Sequence, residues 1–491
     1  MPAIIYFLLS LAALVLGYIF YGRFVERVFR PDSHRQTPAQ AMMDGIDYTP
    51  LPAKEVFLNQ FLSISGIGPV FGAIMGALYG PAALLWIVLG CIFAGGVHDY
   101  LSGMISIRFR GESIPDVVGR ILGPGFKIFM RIFSLILLIL VGVVFVLAPA
   151  DLLASLTRVE NDASIWAGLI FTYYFFATIL PIEVIISRFT PFFTVVLSVM
   201  GVGVILALMV GDYDFYNWAE WTNTHPEGLP LWPLMFITIA CGAISGFHAT
   251  QSPISARCLE NENLGRRIFY GAMIMEGVIA LIWATAGMTL YHSSAELQAA
   301  LNSGGPSGAV GAISFTLLGE LGGMLAVLGV VVLPITSGDT AFRASRLIVA
   351  STLKMDQKRV ADRLKIAIPL FAVGIVLTQV DFAVIWRYFA WSNQTLATIV
   401  LWTGAAYLVR LGACHWIATI PATFMTVVVV TYILYVDLGL KLPYGQSVAG
   451  GLLAAALALG VFLMSRDRFR NRVPAELIPL VEPIIEEPGN S

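Results

Sequence analysis

The sequence is poor in charge. Only 12% of its 491 residues are Asp, Glu, Lys or Arg, about half the share that soluble domains carry. So few ionised groups cannot coat a body of this size in water, which excludes a soluble enzyme or binding domain. The 29 basic residues are balanced by 31 acidic ones and form no stripe, which argues against a nucleic-acid partner. Cysteine is scarce too. Cys91, Cys241, Cys258 and Cys414 fall singly in or beside apolar segments, without the paired spacing of a disulfide or zinc framework, and are read as reduced and structural. No HExxH or GxSxG string occurs, and the connections are too short to hold a soluble catalytic domain. The string "SGDT" at 337–340 superficially resembles an aspartyl protease loop, but such chemistry needs a second aspartate at similar depth and Asp99 is the one candidate. The chain is therefore expected not to be an enzyme and to need no cofactor.

What the sequence has in plenty is apolar length. Hydrophobic residues make up 58% of the chain, mean hydropathy is +0.82, and runs of about 20 apolar residues recur from end to end. The fold class is all-α, a polytopic membrane protein embedded in a lipid bilayer. The first run, in "MPAIIYFLLSLAALVLGYIFYGRFVERVFR", has its arginines after it, the reverse of a cleaved signal peptide, so it is read as a retained span. Thirteen spans are predicted, near 3–22, 57–80, 82–107, 132–150, 164–187, 192–211, 232–256, 268–291, 318–342, 366–380, 383–409, 416–436 and 447–464. Basic residues test the count, because Lys and Arg collect in cytoplasmic loops. All of the 29 except Arg158, Arg387 and Lys441 fall in alternate connections, which places the N-terminus outside and the C-terminus inside. The acidic stretch "GDYDFYNWAEWTNTHPEGLP" becomes an external loop, and the Pro- and Glu-rich tail is expected to be disordered.

Two spans carry their own helix breakers. "FLSISGIGPVFGAIMGALYG" gathers Ser63, Ser65, Gly66, Gly68 and Pro69, and reads as one half-helix ending and another starting at a proline. Interrupted backbone in hydrocarbon survives only where protein buries it or a polar cavity receives it. The free N–H groups at such a start suit an anion such as a carboxylate, whereas a Gly-lined packing face with a proline kink is the plainer reading. The seventh span repeats the pattern in "CGAISGFHATQSP", with Ser245, Gly246, His248, Gln251 and Ser252 near Pro253. Five spans separate the two, so the second crosses in the opposite sense. Broken helices at matching places of oppositely oriented halves point to a five-plus-five inverted-repeat transporter with its site near the midplane. The repeats would occupy 57–211 and 232–409, with 1–56, 410–464 and the tail 465–491 as additions.

Ionisable residues at membrane depth are functional candidates by default. His98 and Asp99, close to Ser102 on the third span, are either proton carriers or ion ligands, or a hydrogen-bonded strut. Glu276 lies well inside the eighth span with no cation nearby in sequence, and a buried carboxyl that gains and loses a proton is what a proton-coupled carrier needs. Thr336, Ser337, Asp339 and Thr340 offer hydroxyls and a carboxylate to a hard cation such as sodium, although Asp339 and Arg343 are spaced for a helix-surface ion pair. Asn393 and Gln394 either bind a substrate's polar groups or bridge helices.

The strings "SISGIGPVFGAIMGALYG", "WIVLGCIFAGGVHDYLSGMISIRFRGESIPDVVG", "CGAISGFHATQSP", "FYGAMIMEGVIA" and "YFAWSNQTLA" resemble, in the same order from about residue 3 to residue 440, the carbon starvation protein A family of bacterial inner-membrane transporters. The resemblance implies a secondary transporter related to the amino acid, polyamine and organocation carriers. It further implies uptake of pyruvate with protons, or alternatively uptake of di- and tripeptides; with the residues themselves, the expectation is a symporter of a small carboxylate coupled to a proton or to sodium.

Overall fold

The computed structural model describes residues 3–157, 162–180, 190–211, 214–215, 222–380, 382–437 and 439–472. Each predicted span meets a helix. They are α1 (Ala3–Phe29), α2 (Ala53–Ile64 and Gly68–Tyr79), α3 (Ala82–Arg108), α4 (Pro124–Thr157), α5 (Asp162–Ile179), α6 (Thr190–Val210), α7 (Leu231–Ala256), α8 (Glu262–Leu290), α9 (Ser294–Leu353), α10 (Val360–Leu377), α11 (Phe382–Arg410), α12 (Trp416–Tyr435) and α13 (Tyr444–Met464). Among the described residues, eight of these are each long and apolar enough to cross a membrane, and the bent α2 passes as a ninth. The second half of the predicted fifth span, much of the external loop and the tail after 472 lie outside the described residues.

Several spans run past their predicted ends, α4 and α9 furthest. α4 starts at Pro124 rather than 132, and α9 continues to Leu353 rather than 342, because helix propensity persists after the apolar window closes. α9 is also not one rod: Gly305 and Gly319, with φ of 63° and 67°, interrupt it, a backbone region that glycine enters at no steric cost. Its start is fixed by the Ser293 side chain, which accepts from the Glu296 N–H.

Burial orders the bundle. The apolar stretch of α8 is 89% buried, whereas those of α1 and α13 are 22% buried, so α8 runs through the centre and the other two face lipid. At the end bearing the basic loops, carboxylates gather the arginines. Glu262 takes Arg108 Nε at 3.3 Å, Arg35 Nε at 3.4 Å and the Asp32 N–H at 2.9 Å. The connection 30–52 is strapped across α7 and α9: Thr49 and Leu51 donate their N–H groups to the Arg257 and Cys258 carbonyls, and Asp47 reaches Arg343 at 3.2 Å and Arg346 at 3.3 Å. Burial opposes ionisation of Asp47, but the charges of Arg346, Arg343 and Arg257 prevail and hold its carboxyl below the usual range. The short helix Ile114–Leu122 presents Asp116 to Lys127 at 2.9 Å, Arg131 at 2.7 Å and the Ser113 and Ser351 hydroxyls. Burial again opposes, yet these bonds pull Asp116 down to about 2.

Candidate functional site

The first half of α2 stops at Ile64, the chain turns through Ser65 and Gly66, and the second half restarts at Gly68 with Pro69 in its opening turn, the two halves bent by 55°. Gly66 donates its N–H to Ile64 and not to Leu62, as a continuing helix would require. The carbonyl of Leu62 is thereby freed, and the hydroxyls of Thr336 and Ser337 donate to it at 2.9 and 3.1 Å. Among the described residues the N–H groups of Ile67 and Gly68 meet no acceptor. Glycine is required at 66, where a Cβ would lie 2.4 Å from the Phe145 ring.

α7 breaks where predicted. Its first half ends at Ile239, a tight turn covers Ala240–Gly242, and the second half starts at Gly246 after an extended Ser245. Asn393 stands at this restart: its side-chain oxygen accepts from the Phe247 N–H at 2.7 Å and the Ser245 hydroxyl at 3.1 Å, and its amide donates to Cys241 Sγ at 3.1 Å. Gln394 donates to the Ile244 carbonyl at 2.8 Å. Both amides therefore reach across to α7. The two breaks also touch: a Cβ on Gly68 would sit 2.5 Å from Cys241 Cβ, and one on Gly72 would sit 2.7 Å from the Thr238 carbonyl.

Beside the breaks runs a chain of ionisable groups from three helices. Asp99 on α3 holds His98 Nδ1 at 2.7 Å on one oxygen and His248 Nδ1, from the second half of α7, at 2.9 Å on the other. His248 Nε2 lies 3.1 Å from a Glu276 oxygen on α8, within ion-pair distance though not aligned as a hydrogen bond. All four side chains are fully buried. One turn along, the Ser102 hydroxyl donates to Ser252 at 3.0 Å and ties α3 to α7. Several buried polar atoms near the breaks lack a partner, among them both Glu276 oxygens, both amide atoms of Gln60, Ser65 Oγ, Gln251 Oε1, Gln394 Oε1 and His98 Nε2. Ser63 is buried with them. No group of three His, Cys, Asp or Glu side chains fit for a metal ion occurs among the described residues.

The predicted cluster on α9 divides. Thr336 and Ser337 face the break in α2, Thr340 donates back to the Ser337 carbonyl of its own helix, and Asp339 accepts from the Tyr173 hydroxyl of α5 at 2.9 Å. Residues two apart on a helix point to nearly opposite faces, so Ser337 and Asp339 cannot converge on one ion. The helix-surface pair is not formed either, because Arg343 turns to Asp47 and to the Leu180 carbonyl. Sequence reasoning missed Gln60, Tyr173 and Phe145. Gln60 carried a signal, an amide one turn before the break, whereas Tyr173 and Phe145 looked like ordinary apolar-span aromatics.

Residues 2–159 and 151–318 match the family described as carbon starvation protein CstA. The chain belongs to that family. A peptide transporter CstA of Campylobacter jejuni is 26% identical, covering 84% of this chain and 77% of its own, and that of Escherichia coli K12 is 25% identical over 86% and 79%. An uncharacterized membrane protein of Haemophilus influenzae is 43% identical over 61% of this chain and 95% of its own. Among solved structures, MhsT in complex with L-phenylalanine aligns with a TM-score of 0.54 at 14% identity, covering 85% of this chain and 99% of its own. Mhp1, a nucleobase-cation-symport-1 family transporter, aligns with a TM-score of 0.50 at 16% identity over 88% and 100%. This CstA-family chain is thus an all-α multi-pass membrane protein with the fold of those structures.

Proposed function

We propose that this CstA-family chain is a secondary active transporter bringing a small carboxylate-bearing solute, pyruvate by preference, across the inner membrane with a proton or sodium ion. The observation that carries the reading is the contact between two broken helices beside a fully buried His98–Asp99–His248–Glu276 chain. The free N–H groups of Ile67 and Gly68 receive the carboxylate at the restart of α2. His248, set between two carboxylates, passes a proton from one to the other as the second half of α7 shifts against α3 and α8. A sodium ion would instead take the Leu62 carbonyl with the Thr336 and Ser337 hydroxyls. Rocking of one helix group against the rest alternates access.

A short peptide is the second reading. Two observations favour it: the relatives in C. jejuni and E. coli are named peptide transporters, and Glu276 keeps Oε1 unpartnered beside the oxygen that faces His248, as a peptide's amine would need. Uptake of labelled pyruvate into proteoliposomes under imposed proton or sodium gradients tests the proposal, with dipeptides as competitors. Gradient-driven accumulation is expected, and Glu276→Gln is expected to abolish it. Absence of accumulation of either substrate under both gradients overturns the proposal.

A further inference from the structure

A cleft of about 710 Å³ opens on the lipid-facing side of the bundle between the start of α4, α11 and α13, at the end that carries the basic loops. Its wall is apolar and aromatic, with Phe126, Trp402 and Phe462 in it, while its mouth holds Ser465, Arg468 and Arg120. A second lipid-facing hollow, of about 480 Å³ between α3, α7 and α12, is lined without any charged side chain. The contrast matters. An apolar hollow takes any acyl chain, whereas a cleft with cations only at its interfacial mouth matches an amphiphile with an acidic head.

The two arginines differ. Arg120 grips Glu112 through Nε and Nη2, so that carboxylate already answers its charge. Arg468 takes part in none of the ion pairs formed among the described residues. It sits on the short helix Arg466–Arg472 that follows α13, where helical spacing divides the basic residues between two faces. Ser465, Arg468 and Phe469 line the cleft, whereas Arg466 and Arg470 line a separate polar hollow with His415 and Asp467.

We propose that this cleft is a binding site for one anionic phospholipid, its acyl chain against Trp402 and Phe462 and its phosphate on Arg468. Basic pockets between helices at the cytoplasmic side hold acidic headgroups in this way. The test uses the full chain in vesicles of phosphatidylcholine with brominated phosphatidylglycerol or brominated phosphatidylcholine, reading quenching of Trp402 as the difference between the parent and Trp402→Phe. Brominated phosphatidylglycerol is expected to quench at about fivefold lower mole fraction, the worth of one interfacial arginine. Arg468→Gln is expected to erase that preference, and Ala458→Phe, which fills the cleft, to remove the quenching by both lipids. Arg466→Gln with Arg470→Gln removes two charges from the same helix and is expected to change the preference less than twofold. Equal quenching by both lipids in the parent, or equal loss in the two sets of arginine variants, overturns the proposal.

Discussion

Replacing Gly68 by alanine probes the contact between the two breaks. The new Cβ would meet Cys241 Cβ at 2.5 Å and Sγ at 2.6 Å, about 1 Å inside the ~3.5–4.0 Å optimum for carbon contacts. Cys241 cannot easily swing away, since it is buried in the tight turn Ala240–Gly242 and its sulfur accepts from Asn393. Overpacking of this kind costs about 1–3 kcal/mol. Cys241→Gly removes both obstructing atoms, and the backbone Cα behind them is 3.8 Å away, so the double variant has room. A double-mutant cycle is therefore expected to show Gly68→Ala destabilising alone and a favourable coupling of about 1–3 kcal/mol with Cys241→Gly. Thermal denaturation of the four purified proteins in detergent measures this, and uptake by the same four reports the effect on transport. If Gly68→Ala melts like the parent, or if the two changes simply add, the breaks do not touch as described and the central site is drawn wrongly.

Asn393→Ala strands the Phe247 N–H and the Ser245 hydroxyl in a dry interior; at about 1–3 kcal/mol for a buried group left unpaired, a clear drop in thermal stability without substrate is expected, which a purely substrate-binding residue would not give. Asp99→Asn and His248→Gln are each expected to abolish accumulation driven by a proton gradient while leaving substrate exchange at equal pH measurable, a split read by counterflow in proteoliposomes. Asp116→Asn tests a charge outside the membrane. Its folded pKa of about 2 lies below the unfolded value of about 4, so the carboxylate contributes about 2 kcal/mol that is present above pH 4 and lost as pH falls through 2. The variant is expected to be less stable than the parent at pH 7, with the gap closing toward pH 2 in thermal melts at both values.

The helix-breaking residues were legible because proline and glycine act through the backbone, and backbone rules need no knowledge of neighbours: both interruptions fall where Pro69, Gly66 and Gly246 put them. The roles of many polar side chains were not legible, because they depend on partners on other helices, for Asn393, Thr336 and Asp99 about 150 or more residues away. Asn393 reads equally as a ligand or a bridge until the Phe247 N–H is seen against it, and Thr336 gains its meaning only from a carbonyl at Leu62. His248 and Glu276 were singled out separately, and nothing in the spacing of their spans joins them to Asp99. Helix ends erred for a different reason. Hydropathy reports where lipid stops, while α4 and α9 continue as helices beyond it.

The strap over α7 and α9 belongs to the segment that leads directly into the first half of α2. Any tilt of that half-helix away from α7 pulls the strap with it and strips Thr49 and Leu51 of their acceptors on Arg257 and Cys258. Deuterium uptake at those two amides would therefore count openings of this end of the bundle without any labelled solute.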